Sequence, residues 1–227
     1  MARKATPSKR KPPSRSPNAA LRGRRQEAQL GNKGLDTRRR LVTAARLVFD
    51  EAGFVEARIT DIADVAGAAH GSFYTYFESK EAIFKAVVDE LLEEMTAVTF
   101  ARDVEPRSEY EAIAGANERY YDAWSANART LAVFDEVAGF RPEFYERLTA
   151  LRRTFVDHYS VILTQLQAKG VAAPDLNPYH SACALASMVE QSMRWWLGRG
   201  EPHDRSVALD TLNKLWARSI GLKDGTS

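Results

Sequence analysis

Cysteine is all but missing from this 227-residue chain. The single one, Cys183, rules out an internal disulfide and fits a reducing compartment, where a small buried hydrophobe is expected. No apolar run approaches the roughly 18 to 20 residues that a bilayer-spanning helix needs, so no membrane partner is expected. The N-terminus is basic but lacks the apolar stretch of a secretory signal. With 44% hydrophobic and 27% charged residues, the composition is that of a soluble protein, read as cytoplasmic and long enough for one or two domains. Catalytic signatures are missing too. There is no Glu-x-x-His helical metal pair, Gly-rich phosphate loop, nucleophile elbow or Cys/His zinc spacing, and His70, His158, His180 and His203 are scattered. These absences argue against an enzyme and give no ground for a cofactor or metal.

What is present is uneven charge. Residues 1–34 carry ten Lys/Arg against Glu27 alone, a balance of +9 within a chain of +2, so residues 35–227 hold −7. This segment is rich in Pro, Ser and Gly and lacks apolar periodicity, which predicts a disordered basic tail. Such arms commonly touch nucleic acid; the alternative is a solvated or processed leader.

From Asp36 onward the pattern is helical throughout. Leu41, Ala45, Val48, Phe49 and Ala52 share one helix face, with Asp36 or Thr37 as cap and Gly53 as stop. A short helix over Thr60–Ala66 follows, then Gly67, then "AAHGSFYTYF", then a long helix opened by Ser79. Tyr110, Ile113, Asn117, Tyr120 and Trp124 form another stripe, and Leu131, Phe134 and Val137 a shorter one. Pro142 suits the first turn of a helix reaching Gly170, and "APDLNP" separates it from two last helices near 178–198 and 205–220. No strand signal and no internal repeat occur. The expected class is all-α: an N-terminal unit of three helices over 35–80 and a helical domain over 81–227.

The four rings crowded into "FYTYF" explain themselves as two faces of one short helix. Phe73 and Phe77, four apart, face inward; His70, Ser72, Thr75 and Tyr76 are left outward. Two short helices joined by a few residues with a Gly describe a helix-turn-helix, whose second helix divides in this way between core and major groove. The stretch "RITDIADVAGAAHGSFYTYFESKEAIF" resembles the DNA-binding domain of TetR-type (tetracycline-repressor-like) transcriptional regulators, over residues 36 to about 90. The resemblance implies that Thr60 approaches the backbone or a base edge. It places His70, Gly71, Ser72, Tyr74 and Thr75 in the groove, and Tyr76 and Lys80 on phosphates. Arg58 stands where the family usually has a Thr or Ser cap, and is assigned to phosphate instead; His70 stands in place of the usual Lys or Arg. Residues 35–80 are net −1, so either a few well-placed cations or the tail must supply the attraction to DNA.

The remainder matches the family only in architecture. "SACALASMVEQSMRWWL" is apolar nearly all round at its start and, with Ala208, Leu212, Leu215, Trp216 and Ser219, is expected to form a four-helix bundle across a two-fold axis. A homodimer of this kind suits a palindromic duplex operator. Asn117 and Glu190 interrupt apolar faces, and with Tyr121, Trp124, Phe134, Phe155 and Tyr159 they are the candidate ligand-binding residues. The bland alternative for each is a satisfied core group. The resemblance implies a small apolar effector (drug-like, lipid or acyl-thioester) that releases DNA, with Arg152, Arg153 and Arg194 as cations for an anionic one. Two other classes remain open at this point: an architectural DNA-binding protein without effector, and a lipid-binding or enzymatic helical domain fused to a DNA-binding module.

Overall fold

The computed structural model describes residues 31–101 and 106–222. Residues 1–30, most of the predicted basic tail, lie outside the described residues. Among the described residues there are nine α-helices and no strand: α1 (Asn32–Glu56), α2 (Ile59–Val65), α3 (His70–Tyr76), α4 (Lys80–Phe100), α5 (Glu109–Ala126), α6 (Ala128–Phe140), α7 (Pro142–Ala168), α8 (Pro178–Met193) and α9 (Arg205–Ser219). The first helix starts one turn before the expected cap. Neither Asp36 nor Thr37 opens it, and Lys33 and Gly34 are helical. Several later starts are made by side chains that take up free amides: Ser79 Oγ accepts from Ala82 N at 3.1 Å, Asn177 Oδ1 from His180 N at 3.0 Å and Asp204 Oδ1 from Val207 N at 2.9 Å. At α5 the arrangement is reciprocal, with Ser108 Oγ bound by Glu111 N and the Glu111 carboxylate accepting from Arg107 N.

Two glycines set the geometry of the N-terminal unit. Gly53, at φ 74°, breaks α1, and Gly67, at φ 60°, closes α2. At Gly67 the amide of Ala68 reaches Ala63 O and that of Gly67 reaches Asp64 O, the paired bonds of a left-handed helix terminus that favours glycine. Three residues later α3 begins.

Two apolar cores result. One joins α1, α2, α3 and the first half of α4, and it also draws in Val133, Phe134, Val137 and Ala138 of α6 and Phe144 of α7. The other lies among α5, α7, α8 and α9, with Leu91 and Met95 of α4 and Leu131 of α6 added to it. The side chains assigned from sequence to a dimer seam belong mainly to this second core. Ala182, Ala208, Leu212 and Trp216 are buried within the single chain, because α8 packs on α7 and α9 on α5. Leu215, by contrast, is 51% exposed, and Val207 at 64% and Trp195 at 45% also face outward. Cys183 is half-buried rather than buried. Beyond Met193, α8 runs into a single π-helical turn, Arg194–Gly198. Trp196 there stacks on His203 at 5.2 Å, while Trp195 turns outward under Arg199.

Phe84 sits where the N-terminal core meets α7, fully buried, with Phe49, Phe54 and Phe144 at 4.9, 5.0 and 5.0 Å. Phe84→Ala should cost about 3–5 kcal/mol of unfolding free energy by denaturant titration. A loss below about 1 kcal/mol would show that the joint is not tightly packed.

Candidate nucleic-acid interface and ligand cavity

Phe73 is fully buried and Phe77 nearly so, their rings 5.9 Å apart, which anchors α3 by one face. Arg38 of α1 covers the outer side of the Phe77 ring at 5.1 Å. On the opposite face His70, Gly71, Tyr74 and Thr75 are exposed, and Ser72 and Tyr76 are half-buried. Tyr74 is 62% exposed, an unusual state for a ring with no solvent-side partner, and its edge rests on Phe73 at 5.4 Å. Arg58 and Thr60, at the start of α2, are exposed as well, with Thr60 Oγ1 donating to Asp61 at 3.2 Å. The seven residues from Arg58 to Thr75 proposed for DNA are therefore open to solvent at least in part.

Lys80 is placed differently from the sequence expectation. Its ammonium donates to Val55 O and Ala57 O, each at 2.9 Å, and lies over the Phe54 ring at 4.9 Å. The carbonyls freed where Gly53 breaks α1 need donors, and Lys80 supplies them. It ties the α1–α2 loop to α4 instead of reaching outward to phosphate. A cation the sequence reading passed over is Arg40, exposed on α1, whose Nη2 donates to Gly67 O at 3.3 Å beside the α2–α3 turn. The run Arg38–Arg39–Arg40 was the available signal, but it entered only as part of a charge balance.

The candidate ligand residues divide. Asn117, Phe155, Tyr159 and Glu190 line one cavity, together with Tyr120, Leu148, Leu151, Arg152, Ala186, Val189 and Trp216. Three others face elsewhere. Phe134 is fully buried in the N-terminal core, against Phe144 at 6.5 Å. Tyr121 is bound through its hydroxyl to His203 Nε2 at 2.7 Å, and Trp124 is packed against Gly198, where a Cβ would come within 3.2 Å of its ring. Periodicity identified the buried face of each helix but not the neighbour it is buried against.

The cavity is tight. It encloses about 40 Å³, room for a few waters but far below the roughly 300–1,000 Å³ of a small-molecule site. Beyond Tyr159, which borders both spaces, a cleft of about 560 Å³ opens between the end of α4, the start of α5 and the end of α7. Phe100, 5.1 Å from Phe155 and 4.1 Å from His158, completes the aromatic partition between the two. Burial pushes the Tyr159 phenol up to about 12. It raises Tyr120 further, with Glu190 beside it adding to the effect. Both phenols are thus neutral donors. Asn117 donates to Asn213 Oδ1 at 2.8 Å across the α5–α9 contact.

One wall of the cavity is charged. Arg152 donates to Glu190 Oε2 at 3.2 Å, to Ser187 Oγ at 2.7 Å and to Cys183 O at 3.2 Å. Glu190 also accepts from Arg194 at 2.9 Å, and Arg194 is bonded in turn to Asp135 of α6. Burial lifts the Asp135 carboxyl above its usual range even with Arg194 against it. At the other end of α6, Arg46 donates to Asn127 and, at 3.2 Å, to Thr130, and Thr130 donates to Asp50 at 3.0 Å. No group of three or more His, Cys, Asp or Glu side chains among the described residues is placed to hold a metal ion. No helix among them is long and apolar enough to cross a membrane.

Residues 41–87 match the family model described as bacterial regulatory proteins of the tetR family, and residues 113–215 match the tetracyclin repressor-like C-terminal domain. The chain belongs to the TetR family. Its N-terminal match spans α2 and α3, which makes them the helix-turn-helix of a transcriptional regulator. The HTH-type transcriptional regulator EthR of Mycolicibacterium smegmatis is 28% identical over 88% of this chain and 91% of its own. The HTH-type transcriptional repressor KstR2 of Rhodococcus jostii is 26% identical over 79% of this chain and 86% of its own. Among solved structures, a transcriptional regulator from a Rhodococcus species superposes with a TM-score of 0.67 at 21% identity, covering 82% of this chain and 99% of that one. That likeness concerns the fold.

If Lys80 is a structural tie, Lys80→Met should lower stability by about 1–3 kcal/mol, the range for losing hydrogen bonds made by a charged donor. The slope of log K against log salt for DNA binding should stay unchanged. A slope reduced by roughly 0.9 per half-site would instead put Lys80 on a phosphate.

Proposed function

We propose that this protein is a homodimeric repressor. Two copies set a pair of α3 helices on a palindromic duplex operator, and an apolar effector lodged among α5, α7, α8 and α9 releases the DNA. The role places it with the chromosome in the cytoplasm and asks no catalysis of it. The observation that carries the reading is the continuous polar chain Arg152–Glu190–Arg194–Asp135, which begins in the cavity wall and ends on α6, a helix that shares its apolar face with the helix-turn-helix core. A ligand that moves Arg152 or Glu190 acts on the element that holds the DNA-reading unit.

Thr75→Ala is expected to change the preferred bases at about 1–3 kcal/mol, whereas Tyr76→Phe should weaken all sequences alike. The two copies would meet through the outward side chains of α8 and α9. Leu215→Glu puts a charge on an exposed position that the single chain does not need. It should give a folded monomer by light scattering that fails on a full operator. A dimer of unchanged mass in that variant would move the interface elsewhere.

The effector must favour a conformation in which the inner cavity has opened, since differential affinity is what shifts the equilibrium. Displacing Phe155 and Tyr159 would join the cavity to the outer cleft, which by itself has the volume of a small-molecule site. Of the effector classes considered, an acyl-thioester is the least favoured, because Arg152 and Arg194 are already committed to carboxylates. A neutral lipid or drug-like molecule fits the aromatic lining and the neutral phenols. Ala186→Val adds two methyl groups to the cavity wall without the bulk to displace the opposite side, and should leave operator binding intact. In a release screen with hydrophobic compounds it should raise the concentration needed by roughly tenfold, in line with about 1–3 kcal/mol of overpacking. Equal release from both proteins would place the effector site outside this cavity.

A further inference from the structure

His70 opens α3, and across the turn Asp64 lies in the last turn of α2. The two are close: His70 Nε2 is 3.0 Å from Asp64 Oδ1, with the side chains 57% and 70% exposed. A pair this open contributes little to stability. It caps neither helix, since α3 has no side-chain cap at its start. Its chemical effect is on the ring. A carboxylate only accepts, so the proton on that side sits on Nε2, and in the neutral imidazole Nδ1 is then a bare lone pair. That nitrogen has no hydrogen-bond partner among the described residues, and it belongs to the first exposed side chain of the DNA-reading helix.

We propose that Asp64 is a specificity-determining positioning residue. By fixing the tautomer of His70 it turns an acceptor toward the major groove, which selects a base carrying an exocyclic amine, adenine through N6 or cytosine through N4, on the strand the helix faces. A lysine or arginine at position 70 would present only donors and favour the opposite, keto bases. The assignment rests on α3 being the helix that reads DNA. Arg40 is bonded to Gly67 O on the same turn and Asp61 accepts from Thr60, so neither of these charges takes the place of the Asp64 contact.

The test is a binding-site selection from a random duplex library with the full chain at a pH of about 8.5. His70→Ala identifies the operator position that His70 reads. At that position the wild type should enrich adenine or cytosine over guanine and thymine by about fivefold, near the low end for one base contact. Asp64→Ala should reduce the preference to within about twofold, and Asp64→Glu, which keeps the acceptor, should restore it. Asp64→Lys can only donate to Nε2, so it should move the proton to Nδ1 and invert the preference toward guanine or thymine. If Asp64→Ala and Asp64→Lys keep the wild-type base there, or if His70→Ala alters no position, the inference is overturned. A wild type that enriches no sequence at all would instead bring down the DNA-reading assignment on which the inference stands.

Discussion

Five phenylalanine rings, Phe49, Phe54, Phe84, Phe134 and Phe144, meet where α1, α4, α6 and α7 cross, with neighbouring centroids 4.9 to 6.5 Å apart. A three-helix unit of some fifty residues buries too little surface to stand well alone. Here it is completed from outside, by one face of α6 and the first turn of α7. The consequence is mechanical. Packed aromatic cores resist continuous deformation, so a shift of α6 carries α1, and with it α2 and α3, as one body. In the proposed dimer, the spacing of two such units on a duplex would therefore be set by where α6 sits.

Polar contacts hold α6 at two places. Near its start, Arg46, Thr130, Asp50 and Asn127 join it to α1, and at its middle Asp135 is held by Arg194. One oxygen of Asp50, Oδ1, is buried there without a hydrogen-bond partner. An unsatisfied group of this kind is costly, which makes the α1–α6 joint less comfortable than the aromatic seam beside it. The charged wall of the cavity is poised in a related way. Its two arginines and two carboxylates balance only while all four remain in contact, so a small displacement at Glu190 is transmitted to Asp135.

The helical class and most helix boundaries were legible in the sequence, because a 3.6-residue apolar period, glycine stops and Ser, Asn or Asp starts are local signals. The inward Phe73 and Phe77 and the outward Thr75 followed from the same period, and the outward Tyr74 from the family resemblance. What was not legible depends on which helix lies against which. Phe134 has the spacing of a core residue in either core, and only the crossing of α6 over α1 decides that it joins the N-terminal one. Lys80 looked free for phosphate because nothing local announces the carbonyls of Val55 and Ala57, 25 and 23 residues earlier. Ala186 was assigned to a seam between copies and faces the cavity instead, since small residues permit close approach to any neighbour. Glu190 and Asn117 were visible as polar breaks in apolar stripes, but their partners Arg152 and Asn213 belong to other helices.

The π-helical turn at the end of α8 separates two demands on one helix. Such a turn holds one residue more than an α-turn, which rotates everything after it by roughly 100° relative to an unbroken helix. Upstream, Ala186, Val189 and Glu190 keep the register that faces the cavity; downstream, Trp196 reaches His203 while Trp195 points away from the chain. Removing Arg194, the residue ahead of both indoles, would shift their register by roughly 100° against the face that lines the cavity. In the proposed dimer, chain length at this one place would help to set which indole faces the second copy.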